Sequence, residues 1–230
     1  MAESLTLQTA TDNLWAMKDE IWQAFWETLL MVGISTIVSV LLGGVIGIWL
    51  FMTNKQQLAE NKVIYGGLGG FTNLMRAFPF VILMIVLIPL TRALVGTTIG
   101  PVAASFALSV AGAFYFARLV EQNLRDVPRG IIEAAQSMGA STGTIIKKVL
   151  LVESRSSLIL SITTLCISLL SYSAAAGMIG GGGLGDLAIR YGYQRFNNQV
   201  MVATVVVLVI LVQSVQSLGD RLVRSLAHRR

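Results

Sequence analysis

One cysteine, Cys166, and one histidine, His228, occur in 230 residues. The chain can therefore close no internal disulfide and offers no cluster with metal-ligand spacing. Charge is nearly as scarce. Asp, Glu, Lys and Arg make up 13% of the residues, against about 25% in soluble domains, and the mean hydropathy is +0.72. A soluble domain is excluded, and the solvent for most of the chain is lipid. No Gly-Lys-Ser or Gly-Lys-Thr occurs, so there is no phosphate-binding loop of the P-loop kind. Gly180, Gly182 and Gly185 fit the G-x-G-x-x-G spacing but follow an apolar run rather than a strand, which makes them a tight extracellular turn.

What is present is a set of long uncharged runs. Residues 28–54, 93–117, 156–185 and 196–219 contain no charge, and residues 63–91 are interrupted only by Arg76. Crossing a hydrocarbon core of ~30 Å takes roughly 20 apolar residues. Each run is continuous rather than alternating, which excludes a membrane β-barrel. The spacing predicts an all-α, polytopic bundle of five spans. The first twenty residues are polar and acidic and lack the basic start of a cleavable leader, so the first span is expected to be retained. Residues 1–26 are read as an extracytoplasmic segment, 27–220 as a single transmembrane domain, and 221–230 as a basic cytoplasmic tail in which His228 is solvated.

Lys and Arg set the orientation. Lys55, Lys62, Arg118, Arg125, Arg129, Lys147, Lys148, Arg155, Arg221, Arg224, Arg229 and Arg230 fall on one face of the five-span arrangement. Lys18, Arg92, Arg190 and Arg195 fall on the other. The richer face is cytoplasmic, which puts the N-terminus outside and the C-terminus inside. This bias accounts for the net charge of +5, so no nucleic-acid partner is implied. Arg76 is expected near the start of the second span, snorkelling to the interface.

Within the spans, Gly43-x-x-x-Gly47 with Gly44 beside it gives the first helix a small-residue face that permits close helix contact. Pro79 and Pro89 each remove a backbone donor and predict a bent or broken second span. The glycines from Gly66 to Gly70, preceded by residues 56–63, read as a mobile or interfacial approach to that span.

Residues 118–155 form a long polar cytoplasmic loop. Ile131, Ala134, Ala135 and Met138 recur at i, i+3, i+4 and i+7, the apolar stripe of a short amphipathic helix, which Gly139 stops. Ser141 or Thr142 caps a second helix through Ile145, Ile146, Val149 and Leu150, with Lys147 and Lys148 on its wet side. Periodicity alone leaves two readings open. The small-faced helix enters a groove on a partner, or it packs on the chain's own spans.

Glu133-Ala134-Ala135, with Gly139 beyond it and Val149-Leu150-Leu151 further on, resembles the EAA loop of permease subunits of bacterial ABC importers. Val152 stands where that family usually has proline. Arg76-Ala77-Phe78-Pro79-Phe80, Ile88-Pro89-Leu90-Thr91-Arg92, Tyr172-Ser173-Ala174 and Gly182-Gly183-Leu184-Gly185 are similar to the methionine-uptake branch. The resemblance implies a type I permease fold with a cytoplasmic coupling helix. On it, Glu133, Ala134, Ala135, Met138 and Gly139 dock on an ATPase. It also implies two ATPase subunits that bind ATP and Mg, a second copy of the permease, a periplasmic substrate-binding protein, methionine as the solute, and the bacterial inner membrane as the location.

The runs contain no Asp, Glu or His, the groups that relay protons or bind sodium in ion-coupled carriers. That leaves an external engine or a passive channel. Ser168, Tyr172, Ser173 and Met178, on the fourth span, are the candidates for the translocation pathway. A stand-alone channel or carrier, and an importer for another small nutrient, remain the alternatives. The chain itself is not expected to be an enzyme or to hold a cofactor.

Overall fold

Where water is absent, a backbone must satisfy its own polar groups, so long apolar runs become helices. The structure is a computed structural model that describes residues 15–227. It is helical, with no strand among the described residues. In chain order the main helices are α1 (Lys18–Thr53), α2 (Lys62–Ala77), α3 (Phe80–Val86), α4 (Ile88–Val95), α5 (Pro101–Arg125), α6 (Arg129–Ser137), α7 (Arg155–Ala176), α8 (Gly183–Leu187) and α9 (Asn198–Ala227). Among the described residues four helices are long and apolar enough to cross a membrane, and the bent pair α2 and α3 makes five if it counts as one span.

The first and third spans explain why the bent pair counts. Ser35 Oγ donates to the carbonyl of Ser105, and Ser39 Oγ to that of Ser109, each at 3.2 Å and each 70 residues apart. At the same offset, a Cβ on Gly43 would strike the carbonyl oxygen of Ala113, and one on Gly47 would lie 2.6 Å from that of Ala117. A constant offset means that α1 and α5 run parallel. The chain between them must therefore return across the membrane, and α2 with α3 is the segment available. Gly43 and Gly47 thus form the close helix contact expected of them, whereas Gly44 has nothing within 4 Å. Small buried residues on α5, among them Ala103, Ala104, Ala107, Ala113 and Ala117, make it the most enclosed of the long helices.

The second span is broken, as the prolines predict. Phe78, held extended at ψ 128° ahead of Pro79, caps α2, and α3 leaves at 106° to it. Pro89 sits in the first turn of α4, where its missing donor costs nothing. The approach to that span, expected to be mobile or interfacial, is helical from Lys62. Asn61 caps α2 by accepting from the Val63 and Ile64 amides, and Gly66 to Gly70 lie inside the helix. Arg76 is likewise not at the start of the span but in the last turn of α2, exposed, just ahead of the bend.

Two further boundaries differ from expectation because helices run on past the edge of apolar sequence. α1 begins at Lys18, so the later part of the 1–26 segment is helical; residues 1–14 and His228, Arg229 and Arg230 lie outside the described residues. At about 1.5 Å per residue α1 is roughly 54 Å long, more than a bilayer core requires. Arg118 to Arg125 form the last turns of α5 rather than the start of a loop.

Contacts gather in two compact units, one made of the described residues of Met1–Ser35, Phe80–Leu108 and Ile167–Ser214, the other of Thr36–Pro79, Ser109–Cys166 and those of Val215–Arg230. In the first, Ala24, Leu184, Leu187 and Val200 form a buried cluster with Ile21, Phe25 and Leu208 packed on it. Beside it the chain doubles back after α7. Gly180, Gly182 and Gly183 all have positive φ, which allows the tight turn expected there. Glu27 Oε2 accepts from the Gly183 amide at 2.8 Å and Thr28 Oγ1 from that of Leu184 at 2.9 Å.

Candidate functional site

The polar loop folds as a helix, a turn and a second helix, and its local chemistry is legible. α6 follows Pro128 and ends in a left-handed turn, with Gly139 at φ 79°. The Ala140 amide donates to the Ala135 carbonyl and the Gly139 amide to that of Gln136, which is the Schellman arrangement of a helix end. Ser141 then caps the next helix by accepting from the Thr144 amide, so it, and not Thr142, is the cap. That helix widens to a π-helical turn over Ile145–Leu150 and runs on to Glu153. Ile145 and Leu150 are buried, while Lys147 and Lys148 are exposed.

α6 does not carry one apolar face but two. Ile132 and Ala135 point inward, 7% and 4% exposed. Ile131, Ala134 and Met138 point outward, with Met138 81% exposed. The expectation that Ala134 and Ala135 share a docking face therefore fails. Residues i, i+3 and i+7 make the free stripe, and i+1 and i+4 make the anchoring one. Glu133 is exposed and lines a cleft of about 250 Å³ with Gln56, Gln57, Leu58, Arg129, Ile132 and Gln136. Arg129 Nη1 donates to Gln56 Oε1 at 2.9 Å across it.

Next to this loop lies a buried ionic cluster that composition did not single out. Glu121, 2% exposed, accepts from Arg118 and Arg125 of its own helix and from the Tyr65 hydroxyl of α2. The i−3 and i+4 spacing of the two arginines was readable as a helical ion-pair pattern. Tyr65 carried no signal, since its partnership depends on how α2 lies against α5.

The four pathway candidates do not converge. Ser168 and Tyr172 lie one turn apart on α7 and are half-buried, and the Tyr172 ring stacks on Phe80 with centroids 4.9 Å apart. Ser173 is 2% exposed and donates to the Leu170 carbonyl, so its hydroxyl is spent on its own helix. Met178 is exposed beyond the end of α7. A residue missed by the sequence reading, Ser171, opens with Gln213 onto an apolar cleft of about 470 Å³ walled by Leu170, Ala174, Leu208, Val209 and Val212. Among the described residues no group of three or more His, Cys, Asp or Glu is placed to hold a metal ion.

Parallel spans one and three, a broken second span and a helix-turn-helix between the third and fourth spans are the geometry with which the chain compares to known proteins. It is 47% identical over 211 residues to the probable D-methionine transport system permease protein MetI of Vibrio cholerae, covering 92% of this chain and 94% of that one. It is 44% identical to the methionine import system permease protein MetP of Bacillus subtilis, covering 87% and 90%. A crystal structure of the MetNI methionine ABC transporter in an inward-facing conformation matches with a TM-score of 0.90 at 40% identity, covering 92% of this chain and 98% of that one. Residues 40–229 match the binding-protein-dependent transport system inner membrane component. With most of its length inside that match, the chain belongs to the family of inner-membrane components of binding-protein-dependent transport systems.

Proposed function

We propose that this chain is the membrane-spanning permease of an ATP-driven methionine importer, in which two copies enclose the pathway and two separate ATPase subunits supply the energy. The observation that carries the reading is the outward stripe of α6. Ile131, Ala134 and Met138 stand exposed on a helix anchored by Ile132 and Ala135, a surface suited to a groove on another protein. Relatives that are methionine permeases by name support the solute. Likeness to an assembled methionine ABC transporter supports the ATPase and the second copy.

In this reading ATP and Mg are held by the ATPase, since this chain has no P-loop. A substrate-binding protein outside the membrane delivers methionine. Residues 27–220 form the membrane domain, α6 and the helix after it face the cytoplasm, the N-terminus lies outside and the tail from 221 lies inside, in keeping with the Lys and Arg distribution. Glu133 and Gly139 belong to the docking loop, Gly139 by fixing its turn. Ser168, Tyr172 and Met178 remain the pathway candidates, with Ser171 and Gln213 added; Ser173 supports its helix instead. The cycle of ATP binding and hydrolysis in the ATPase moves α6 and rocks the spans attached to it between inward and outward access.

The test is reconstitution in lipid vesicles with and without the ATPase and the binding protein, following labelled methionine. Uptake is expected only when both partners and ATP are present. Saturable accumulation by this chain alone would show a self-sufficient carrier, and better competition by an unrelated amino acid than by methionine would reassign the solute.

A further inference from the structure

We infer that Glu121 is the positioning residue through which movement of α6 reaches α2. The inference rests on the reading of α6 as the ATPase-docking helix. α6 follows α5 after only three residues, so displacing it pulls α5 directly. α2 is distant in sequence and needs a noncovalent tie.

That tie has two points. Glu121 takes Arg118 Nη1 on Oε2 at 2.5 Å, and takes Arg125 Nη2 and the Tyr65 hydroxyl on Oε1, the latter at 3.2 Å. Arg125 Nη2 also donates to the Tyr65 oxygen at 2.8 Å. Arg118 extends the network with Nη2, which donates to the Gly69 carbonyl at 2.7 Å. Tyr65 and Gly69 are one turn apart, so α5 grips α2 on a single face at two heights, which resists both sliding and rotation. A side chain at 69 would lie 3.3 Å from the Arg118 guanidinium, and glycine leaves that room.

The carboxylate organises both grips. It holds one guanidinium aimed at Gly69 and the other at Tyr65, and the carboxylate itself is buried, 2% exposed. Charge-assisted pairs of this kind fix direction as well as distance. The Arg129 to Gln56 bond adds a tie from the first turn of α6 to the segment ahead of α2. With these bonds made, α6, the end of α5 and α2 shift together. α2 then carries the shift along the chain to the Pro79 bend and to Phe80, whose ring lies on Tyr172.

The experiment uses the whole transporter, purified with its ATPase and reconstituted with the binding protein, and reads labelled methionine taken up per ATP hydrolysed. Glu121→Gln keeps the shape and removes the charge; Tyr65→Phe removes the hydroxyl's two bonds, to Glu121 and from Arg125, and no charge; Glu121→Asp is the conservative control. We expect the ATPase to copurify with every variant and hydrolysis to persist. Uptake per ATP falls roughly threefold to tenfold in Glu121→Gln, falls less in Tyr65→Phe, and recovers in part in Glu121→Asp. If Glu121→Gln fails to fold, Tyr65→Phe carries the test. An unchanged ratio in Tyr65→Phe and Glu121→Gln, or an equal loss of uptake and hydrolysis with the ATPase still bound, overturns the tie while leaving the docking reading intact. Failure of the wild-type chain to retain the ATPase overturns both.

Discussion

One methyl group at residue 47 is enough to collide with α5. An added Cβ would lie 2.6 Å from the Ala117 carbonyl and from Val120 Cβ, neither of which is the free end of a side chain. Gly47→Leu is expected to destabilise the detergent-solubilised protein by about 1–3 kcal/mol, seen as a lower midpoint of thermal aggregation. Gly44→Leu, three residues away but with nothing within 4 Å of an added Cβ, leaves the midpoint unchanged. The same logic separates two adjacent alanines on α6. Ala135 is 4% exposed and Ala134 is exposed, so Ala135→Trp lowers the yield of folded protein. Ala134→Trp leaves the yield intact and weakens copurification of the ATPase. Equal behaviour of the two variants would contradict the two-faced description of α6. The sequence marked both alanines as apolar and small, and periodicity could not separate them because i+3 and i+4 both lie within a broad helical stripe.

α6 and the helix after it form a hairpin whose angle is set by a single left-handed residue. Gly139 has φ 79° with open space around it, so the constraint there is conformational and not steric crowding by neighbours. Gly139→Val pays the cost of a branched side chain in that region, about 1–2 kcal/mol, and Gly139→Asn pays less because its polar side chain tolerates the conformation. Transport by the complete system is expected to fall in the order glycine, asparagine, valine, while membrane insertion, read as yield in the membrane fraction, stays constant. Gly139 was legible because a helix stop leaves a composition signal. The extension of α1 back to Lys18 and of α5 on to Arg125 was not. A helix continues past the last apolar residue whenever its polar end finds partners, and Glu121 with its arginines supplies them at the end of α5.

All four tryptophans of the protein, Trp15, Trp22, Trp26 and Trp49, lie towards the two ends of one membrane helix or just ahead of it, and each is more than half exposed. Trp26 and Trp49 are joined by Leu30, Ile34, Ile37, Leu41 and Val45, an exposed stripe on the face of α1 opposite Met31, Ser35, Ser39, Gly43 and Gly47. At about 1.5 Å per residue the two rings stand roughly 35 Å apart along the axis, near the separation of the two interfaces of a ~30 Å core. Single-tryptophan variants in vesicles are expected to show both positions quenched more strongly by bromine near the headgroups than by bromine at the acyl ends. Maximal quenching of either ring by acyl-end bromine would show that this stripe is not a lipid-facing perimeter spanning the bilayer.

Lipid as the solvent, a bundle of membrane-length helices and a helix-turn-helix between two of them were all legible in residues 28–54, 63–91, 93–117, 156–185 and 196–219 and in the polar stretch among them. These are one-dimensional facts, set by the length of uncharged chain and the period of its apolar residues. Tertiary structure alone decided that α1 and α5 run parallel at a constant offset, that Ala135 anchors while Ala134 is free, and that Glu121 is buried against Tyr65. Each of those depends on which faces of two helices meet. In a chain whose helices are apolar all round, hydrophobicity does not choose the face, and small residues, glycine contacts and a few buried polar bonds choose it instead.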